Sequence, residues 1–484
     1  MKQTIFILSV LSSILFASCT GKKNDKPNVL FILVDDLGWK DLGCYGSTFY
    51  ETPNLDRLAS TAVKFTDAYA ASTVCSPTRA SLMTGKHPAR IGITDWIPGR
   101  GDKGKKLKTP SILNALPLEE YTIAEAFKDN GYSTFFAGKW HLGGKGFLPD
   151  DQGFDINIGG NHTGHPKGGY YSPYKNPQLP DGPKGEYLTD RLTNETIKFI
   201  ENNLKNGKGK PFFAYLAYYA VHTPIQGCNR YIEKFKEKVK TLPAAPDSGY
   251  VKERTAFTKT QQNNPGYASM IYAMDENVGR LIEKLKNLKL YDNTIIVFTS
   301  DNGGLSTLLW KGAPTSLYPL RAGKGWCYEG GIRIPLIIKP ANYNNKPDVI
   351  DQPVVSMDLY PTLVDMAGIK PVPDQYIDGI DITPAINGKK LKRNTLFWHY
   401  PHYHGSGWTP GASIRKGDWK LIEFYEYDES ELYNIKNDIG EKNDLSSTMP
   451  EKTDSLKTLL KKMQKETGAK LPVLKKEQTV TGKD

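Results

Sequence analysis

A single stretch of the sequence places a cysteine and an arginine where a helix would begin. The stretch is Val74-Cys75-Ser76-Pro77-Thr78-Arg79-Ala80-Ser81-Leu82-Met83-Thr84-Gly85. Proline is favoured at the start of a helix and glycine just past its end, so the pattern predicts a helix that begins at Pro77 and ends at Gly85. Cys75 would lie at the positive N-terminus, where a thiolate or a bound anion is stabilised, and Arg79 would face the same side. The alternative is a packed helix with an incidental cysteine.

Two further clusters offer hard oxygen ligands. Asp35 and Asp36 follow the apolar run of residues 29–34, and Asp301 and Asn302 follow the apolar run of residues 294–299. Sites in open α/β sheets form at the carboxyl ends of strands, so both clusters would lie there. Three carboxylates in one place repel one another unless a cation lies between them, and an all-oxygen set suits Ca²⁺ or Mg²⁺ rather than zinc. Either cluster alone would be explained as turn chemistry.

Lysines and histidines occur in three short motifs. Lys139 and His141 lie two residues apart in Gly-Lys-Trp-His-Leu-Gly, so they would share one face of an extended segment. His222 lies in Val-His-Thr-Pro, and Lys324 follows Ala-Gly. Taken singly, each of these residues would more often be a surface or hydrogen-bonded side chain. Only their occurrence together gives them functional meaning.

The chain that must position these groups alternates apolar runs with amphipathic ones. The continuous apolar runs at residues 29–34 and 294–299 predict strands that are buried on both faces of a parallel sheet. Further strands are expected at residues 133–137, 212–217 and 334–338, and helices at residues 123–129, 190–204 and 267–288. The predicted fold class is therefore α/β, with a large mixed, mostly parallel sheet sandwiched by helices.

The sequence changes in character near residue 396. Short aromatic-rich strands are expected at residues 412–414 and 419–425, followed by a Lys-rich helix at residues 451–467. This region predicts a smaller C-terminal α+β domain with an antiparallel sheet, connected through residues 371–395. We place the catalytic α/β domain at residues 27–385 and the C-terminal α+β subdomain at residues 386–484.

Residues 1–26 have the pattern of an export signal. Lys2 precedes an apolar stretch, residues 5–16, which is too short to span a bilayer, and small residues follow up to Cys19. Residues 15–19, Leu-Phe-Ala-Ser-Cys, resemble a bacterial lipobox, in which Cys19 is acylated. We therefore assign residues 1–18 to a signal peptide and residues 19–26 to a lipoprotein tether, which predicts a periplasmic or cell-surface location. Ordinary signal cleavage without a lipid is the alternative.

Composition limits the remaining classes of protein. The chain has 484 residues, of which 39% are hydrophobic and 24% charged, an ordinary globular composition. Its 5 cysteines are an odd number for an exported protein, so stability must come mainly from the core rather than from a disulfide framework. The net charge of +11 favours an anionic partner, but the lysines lie in scattered runs without interleaved aromatic residues, which argues against nucleic acid.

Together the motifs resemble those of the type I sulfatase family, within the alkaline phosphatase superfamily. Residues 75–85 match its Cys-x-Pro-x-Arg signature followed by Thr-Gly, and Val-Asp-Asp-Leu-Gly, Gly-Lys-Trp-His-Leu-Gly and Ser-Asp-Asn-Gly-Gly are also present. The resemblance extends from about Pro27 to Leu445, and Thr78 departs from it, since the family more often has Ser there. It implies that a maturation enzyme oxidises Cys75 to formylglycine. One hydroxyl of the hydrated aldehyde would attack sulfur and form a covalent sulfate ester. Deprotonation of the second hydroxyl would then re-form the aldehyde and expel sulfate.

The resemblance also implies roles for individual residues. The implied ligands of one Ca²⁺, with Mg²⁺ as the alternative, are Asp35, Asp36, Asp301, Asn302 and the modified Cys75. Arg79 would fix the hydrate. Lys139 and His141 resemble the pair that contacts sulfate and removes the diol proton. His222 resembles the acid near the leaving alcohol, and Lys324 resembles a second sulfate clamp.

Substrate specificity is expected in two irregular segments, residues 159–165 and 399–408. Both mix aromatic faces with hydrogen-bonding side chains, which suits hydroxyl-rich sugars. The candidate sugar contacts are His162, His402, His404 and Trp408. Three histidines between residues 399 and 404 are difficult to place together in a core, although a His-rich loop that packs between the domains is the alternative.

These observations predict an exo-acting carbohydrate sulfatase that releases inorganic sulfate from a sulfated glycan. Galactose or N-acetylgalactosamine is the preferred sugar, because the 399–408 loop resembles that of glycan-desulfating relatives. A phosphonate monoester or phosphodiester hydrolase of the same superfamily is the closest alternative. A lipoprotein that binds sulfated glycan without hydrolysis is the alternative from another class, but it would be expected to lack the nucleophile or a clamp residue.

Overall fold

The computed structural model describes residues 26–207, 209–344, 348–372 and 375–475. The predicted signal peptide, Cys19 and most of the tether lie outside these residues. Within the described ranges, no helix combines the length and the apolar character needed to cross a bilayer.

The chain folds into short and long strands interleaved with helices. The strands, numbered in chain order, are β1 (Asn28–Val34), β2 (Val63–Phe65), β3 (Ala68–Tyr69), β4 (Leu107–Lys108), β5 (Ser133–Gly138), β6 (Ile156–Ile158), β7 (Phe212–Tyr218), β8 (Tyr250–Glu253), β9 (Ala256–Lys259), β10 (Thr294–Ser300), β11 (Thr307–Leu308), β12 (Leu336–Lys339), β13 (Asp348–Ile350), β14 (Val354–Val355), β15 (Thr395–Tyr400), β16 (Gly411–Lys416), β17 (Trp419–Phe424), β18 (Glu429–Asn434) and β19 (Val473–Leu474). The α-helices are α1 (Pro53–Ala59), α2 (Cys75–Thr84), α3 (Pro88–Ile91), α4 (Ile123–Asp129), α5 (Leu188–Asn206), α6 (Ile232–Val239), α7 (Pro265–Asn287), α8 (Glu329–Ile332), α9 (Leu359–Met366), α10 (Thr383–Ile386) and α11 (Pro450–Glu466).

The main sheet has the strand order β13-β2-β12-β10-β1-β7-β5-β6. The five strands from β10 to β6 in this order are parallel to their neighbours, whereas β12 runs antiparallel to both β10 and β2. This confirms the predicted mixed, mostly parallel sheet. The strand expected at residues 334–338 begins only at Leu336, because the preceding Pro335 has no N–H to donate to a sheet.

Residues of β1 alternate between two hydrophobic layers. Leu30 and Val34 pack in one layer with α5 and α7, and Val29 and Leu33 pack in the other with α2, α4 and α9. Every residue of β1 is buried, which is the pattern that a sheet covered by helices on both faces requires. Cysteines do not link these layers, since the free thiols within the described chain are Cys44, Cys75, Cys228 and Cys327.

Helices α2 and α7 each begin two residues earlier than predicted. α2 begins at Cys75 rather than Pro77, because the first turn of a helix has no internal partners for its N–H groups and so accepts a proline. Gly85 ends α2 as expected, in the left-handed conformation with φ 68°. α7 begins at Pro265 because the Asn264 side chain accepts a hydrogen bond from the Tyr267 backbone N–H at 3.1 Å.

The C-terminal region forms an antiparallel sheet in the order β15-β16-β17-β18. Leu456 and Leu460 of α11 cover one face of this sheet, and the other face contributes Trp398 and Ile422 to a hydrophobic cluster shared with the large domain. The predicted antiparallel C-terminal sheet is thereby confirmed. The predicted boundary after residue 385 falls within α10 and stays a prediction.

A buried ionic cluster joins the two regions. The Lys420 ammonium of β17 is fully buried, 2.9 Å from Glu329 of α8 and 2.8 Å from Glu441. Glu329 also accepts hydrogen bonds from Arg333 at 2.7 Å and from the Tyr69 hydroxyl at 2.8 Å. Burial alone would raise the pKa of Glu329, but the charges of Lys420 and Arg333 lower it, so the carboxylate stays ionised.

Removal of the cation from this cluster should destabilise the protein strongly. In Lys420→Met the two buried carboxylates lose the charge between them, and we expect the free energy of unfolding to fall by about 3–5 kcal/mol, measured by urea denaturation. Lys436→Met is the matched control, because Lys436 is exposed and lies 3.9 Å from Asp418. Its loss should be below about 1 kcal/mol. Equal unfolding midpoints for the two variants would contradict the structural role of Lys420.

Candidate active site

The two oxygen-ligand clusters meet at the carboxyl edge of the main sheet. β1 and β10 are parallel neighbours, so the residues that follow them emerge side by side. The Asp36 backbone N–H donates to Asp301 Oδ1 at 3.1 Å, and Asn302 Nδ2 donates to Asp36 Oδ1 at 2.8 Å. Asp35 lies in the same cluster, and all of these side chains are buried. The structure therefore brings the predicted ligand residues together.

Each carboxylate of the cluster has a cationic partner. The pairs, with their N···O distances, are Lys139–Asp35 (2.7 Å), Lys324–Asp36 (2.6 Å) and Arg79–Asp301 (2.7 Å). Arg79 also donates to the Lys139 carbonyl at 2.6 Å. The expectation that these carboxylates need a metal ion to offset their repulsion is incomplete, because three side-chain cations already lie among them.

Burial and pairing move the pKa values of the carboxyls in opposite directions. Burial raises the pKa of Asp35 well above its ordinary value. Burial acts in the same sense on Asp36, but the neighbouring Lys324 outweighs it and lowers the pKa. The pKa of Asp301 is likewise lowered, because the charge of Arg79 outweighs burial. Asp35 is therefore the carboxyl that would gain most from a further cation.

The cluster contains oxygen atoms that no protein group satisfies. Oδ1 of Asp35 and Oδ1 of Asn302 are both buried without a hydrogen-bond partner. Such orphaned oxygens are rare in proteins, and a cation is a partner that both could share. Among the described residues, Asp35, Asp36 and His222 also form a group whose ligand atoms lie within 4.8 Å of one another. This mainly oxygen donor set fits a hard divalent cation.

Cys75 lies next to an imidazole nitrogen that can accept a proton. Cys75 Sγ lies 3.3 Å from Nδ1 of His141, and Nε2 of His141 lies 2.7 Å from the Ile97 carbonyl oxygen. Because a carbonyl can only accept, Nε2 carries the proton and Nδ1 is left to accept from position 75. Burial, aided by the charges of Lys139 and Arg79, lowers the pKa of His141 well below its ordinary value. His141 is thus a neutral base directed at Cys75.

The orientation of His141 depends on residues that the sequence analysis did not single out. Ser76 Oγ donates to the His141 carbonyl at 3.0 Å and accepts from the Ile97 backbone N–H at 3.1 Å. His141 has a φ of 61°, an uncommon conformation for a residue other than glycine. A Cβ at Gly164 would collide with its imidazole, so the 159–165 segment closes over His141. The only signal for Ser76 in the sequence is its position inside the Cys-x-Pro-x-Arg signature.

Asp95 is a second residue that the sequence analysis missed. Its buried carboxylate accepts from the backbone N–H groups of Trp96 at 2.9 Å and Arg100 at 3.1 Å, and from the Tyr400 hydroxyl at 2.8 Å. Burial raises the pKa of Asp95 to about 7. The carboxyl shapes the turn that presents the Ile97 carbonyl to the imidazole. No local pattern reveals this role, because Tyr400 belongs to the distant strand β15.

His222 lies beside Asp36 in the carboxylate cluster. Its Nδ1 is 2.7 Å from the Thr223 carbonyl oxygen, so Nδ1 carries the proton and Nε2 faces Asp36 at 3.7 Å. Burial, with the charge of Lys324, lowers the pKa of His222 to about 3. The structure therefore places a neutral imidazole beside Asp36, whereas the resemblance implies an acid at this position, which would need a proton on Nε2. That role stays a prediction.

The 399–408 segment is not an open His-rich loop. His399 and His402 are 3% and 2% exposed, and Trp408 is 1% exposed. His402 Nε2 pairs with the Thr94 hydroxyl at 2.8 Å, and Trp408 packs edge-on against Trp326. The argument that these histidines are difficult to bury is wrong, because their ring nitrogens find polar partners on neighbouring segments. The geometry shows packing roles for His402 and Trp408, and their contact with sugar stays an untested prediction.

His404 and His162 are placed differently. His404 is only partly buried, and its imidazole packs on Gly325, the residue after Lys324. Burial, with the charge of Lys324, lowers the pKa of His404 to about 3. His162 is exposed on the 159–165 segment. His404 therefore lies beside the predicted sulfate clamp, and His162 lies at the surface.

Comparison with known proteins identifies the family of this chain. The model of the Sulfatase family matches residues 27–369, and that of the N-sulphoglucosamine sulphohydrolase C-terminal family matches residues 322–468. A sulfatase from Formosa agariphila is 31% identical, covering 92% of this chain and 89% of its own length. Human arylsulfatase A is 33% identical, covering 78% of this chain and 71% of its own.

Solved structures of sulfatases and related hydrolases have the same fold as this chain. The crystal structure of Ps i-CgsB in complex with k-i-k-neocarrahexaose superposes with a TM-score of 0.73 at 31% identity, over 91% of this chain and 93% of that one. A phosphonate monoester hydrolase of Agrobacterium radiobacter has the same fold, with a TM-score of 0.63 at 20% identity. Fold and site thus define an ester hydrolase of the alkaline phosphatase type. Within that class, the chain belongs to the sulfatase family and is a sulfuric ester hydrolase.

Proposed function

We propose that this sulfatase removes sulfate from a sulfated carbohydrate in an exo-acting manner, with position 75 as the nucleophile after conversion to formylglycine. The observation that carries the proposal is the convergence of Cys75 and its paired base, His141, on a cluster of three carboxylates and three cations. The relatives support a sugar substrate. Ps i-CgsB is described in complex with a neocarrahexaose, and pig N-acetylgalactosamine-6-sulfatase is 31% identical over 77% of this chain.

Two groups would complete the site. A divalent cation, which we propose to be Ca²⁺, would polarise a sulfate oxygen. Its protein ligands would be Asp35, Asp36, Asp301 and Asn302. The modified side chain at position 75 would supply one hydroxyl for attack on sulfur and a second whose deprotonation lets sulfate leave.

The side chains of the site then have separate tasks. His141 accepts the proton from position 75 at Nδ1, because its Nε2 is committed to the Ile97 carbonyl. Lys139 and Lys324, held at the cluster by their carboxylate partners, stabilise negative charge on the sulfate oxygens. We propose His222 as the acid for the leaving alcohol oxygen. Because its Nδ1–H is bonded to the Thr223 carbonyl, the donated proton would come from Nε2, which must first be protonated, and a bound anionic sulfate ester would favour that charged form.

Export and maturation complete the proposal. We infer that the signal peptide, residues 1–18, is removed, that Cys19 is lipidated, and that the protein functions in the periplasm or on the cell surface. A formylglycine-generating enzyme would be a necessary partner. The sequence of residues 1–26 supports export and lipidation, and the Cys-x-Pro-x-Arg signature at residues 75–79 supports the maturation partner.

The alternatives predict different chemistry. Phosphonate monoester or phosphodiester hydrolysis is compatible with the fold, and a glycan-binding lipoprotein would need no turnover. The presence of Cys75, Arg79, His141 and Lys324 in one site favours an enzyme. Galactose or N-acetylgalactosamine remains the preferred sugar, since several N-acetylgalactosamine-6-sulfatases are among the relatives.

The test is sulfate release from a panel of monosulfated mono- and disaccharides, run beside an aryl sulfate and an aryl phosphodiester. We expect one sulfated sugar to have a higher kcat/KM than the aryl sulfate, and the phosphodiester to be the poorest substrate. Faster turnover of the phosphodiester would favour the phosphorus chemistry. Tight binding of a sulfated sugar by fully matured protein, without release of sulfate, would favour the binding protein.

His404 provides a sharper prediction about the sugar. We expect His404→Ala to lower kcat/KM on the preferred sulfated sugar about tenfold, the loss of one good hydrogen bond, with a much smaller loss on a small aryl sulfate. His402→Ala is the comparison, because the buried His402 should affect both substrates together through packing. Equal losses of kcat/KM on both substrates in His404→Ala would place this residue in the chemical step or in folding.

A further inference from the structure

The rim of the site presents a guanidinium that the proposed reaction does not use. Arg100 follows the turn shaped by Asp95, and its side chain is exposed. Within the described part of the chain, no carboxylate forms an ion pair with it. Many basic side chains of this protein are paired in that way, for example Arg321 with Glu253 at 2.7 Å. Arg100 therefore offers its charge and its donors to solvent or to a ligand.

The position of Arg100 relative to the site is fixed by close contacts. Its backbone N–H donates to Asp95 at 3.1 Å, and its Nη1 lies so near Gly405 that a Cβ there would be 2.7 Å away. Gly405 follows His404, whose imidazole packs on Gly325. The charges of Lys324, Asp36 and Arg100 all act on that imidazole. Along this line of contacts, His404 lies between the sulfate clamp and Arg100.

We propose that Arg100 binds a second anionic group, a sulfate ester or a carboxylate, on the sugar next to the one that loses its sulfate. This inference rests on the proposed function and adds the class of glycan. The planar guanidinium matches both oxyanions with two parallel hydrogen bonds, which a lysine cannot reproduce. Because His404 separates Arg100 from Lys324 and the carboxylate cluster, Arg100 should affect which substrate binds rather than the cleavage of the sulfate ester bond.

Substrate selection by Arg100 would appear as a ratio of kcat/KM values between glycans with and without a second anionic group. A glycan with one sulfate would use only the clamp at the cluster, whereas a glycan with a neighbouring anionic group would use both cationic regions. Since Arg100 is solvent-exposed, its contribution should weaken as salt is added, because exposed charges are screened within about 8 Å at physiological ionic strength. The preference for the doubly anionic substrate should therefore decline in high salt.

The experiment compares three disaccharides that share the same reactive sulfate. The first carries no other charge, the second carries a second sulfate on the neighbouring sugar, and the third carries a uronic acid there. Arg100→Ala should lower the ratio of kcat/KM between the preferred doubly anionic disaccharide and the singly sulfated one about tenfold, and Arg100→Lys should restore only part of it. Lys103→Ala, which removes an exposed charge from the same segment, should leave the ratio unchanged.

A binding measurement keeps the inference separate from the proposed reaction. Calorimetry on Cys75→Ala and on Cys75→Ala/Arg100→Ala, with the same three disaccharides, reports recognition without turnover. The inference is supported if a doubly anionic disaccharide binds more tightly than the singly sulfated one and if this difference is lost without Arg100. Whichever of the two doubly anionic disaccharides binds more tightly identifies the second group as a sulfate or a carboxylate. Equal ratios in Arg100→Ala and Lys103→Ala, or no binding preference, would overturn it. Retained binding without sulfate release by the mature protein would instead overturn the proposed function.

Discussion

Sulfate release by the Cys75→Ala variant is expected to fall to background, a loss of about 10⁴-fold or more. Alanine cannot supply the two hydroxyls of a hydrated aldehyde, so both the attack on sulfur and the expulsion of sulfate are lost. The fold should persist, because the Cys75 thiol has a single polar partner, His141, and the ion pairs of the cluster do not involve it. Product sulfate, measured by ion chromatography, gives the rate.

The controls for this result separate the nucleophile from the other thiols. Cys44→Ala alters a free cysteine outside the site and should keep full activity. In active wild-type protein, the peptide that contains position 75 should have the mass of formylglycine. The Cys75→Ser variant should retain sulfate covalently when no maturase oxidises it, because it lacks the second hydroxyl. Full activity with unmodified cysteine at position 75 would refute the formylglycine mechanism.

Exhaustive chelation should also abolish turnover, and added Ca²⁺ should restore it. The orphaned oxygens of Asp35 and Asn302 are the reason to expect a bound cation, and their oxygen chemistry is the reason to expect Ca²⁺ or Mg²⁺. Chelation should leave the protein folded, because Lys139, Lys324 and Arg79 compensate the carboxylates without a metal. Circular dichroism and activity, measured on the same chelated sample, check both expectations.

A matched pair of variants assigns the cation to this cluster. Asp301→Asn removes a proposed ligand charge and should raise the Ca²⁺ concentration needed for half-maximal activity. Asp351→Asn, which alters an exposed carboxylate elsewhere, should not change it. Restoration by Mg²⁺ rather than Ca²⁺ would change the proposed metal. Full activity after verified metal removal would contradict a metal-dependent reaction.

The part of the site that lies at strand ends could be predicted from the sequence. Two apolar runs, each followed by Asp or Asn, specify adjacent buried strands whose polar ends must meet, and β1 and β10 are such neighbours. The helix of residues 75–84 was predicted through Pro77 and Gly85, with an error at its start because a first-turn proline does not mark the first helical residue. Each polar strand end and each helix end is encoded within a short segment, and this is why the sequence indicates it.

The rest depends on contacts between distant segments. The Lys139–Asp35 pair joins residues 104 positions apart, and no periodicity indicates that a lysine will neutralise that carboxylate. Similarly, His402 is buried because Thr94, 308 positions away, offers it a partner. From composition alone, the three histidines of residues 399–404 are expected to be difficult to place together in a core. Composition cannot reveal which polar groups a neighbouring loop will satisfy.

The cluster of Glu329, Lys420 and Glu441 has a consequence for how such enzymes can diversify. α8, which carries Glu329, begins five residues after Lys324, so the segment that contains this proposed sulfate clamp is anchored by a lysine from the C-terminal sheet. Exchange of that sheet for one from another protein would leave a buried carboxylate without its cation and would displace the clamp. The C-terminal region is therefore not a transferable module. New specificities should arise by changing the loops around the site, while the junction between the two sheets is inherited intact.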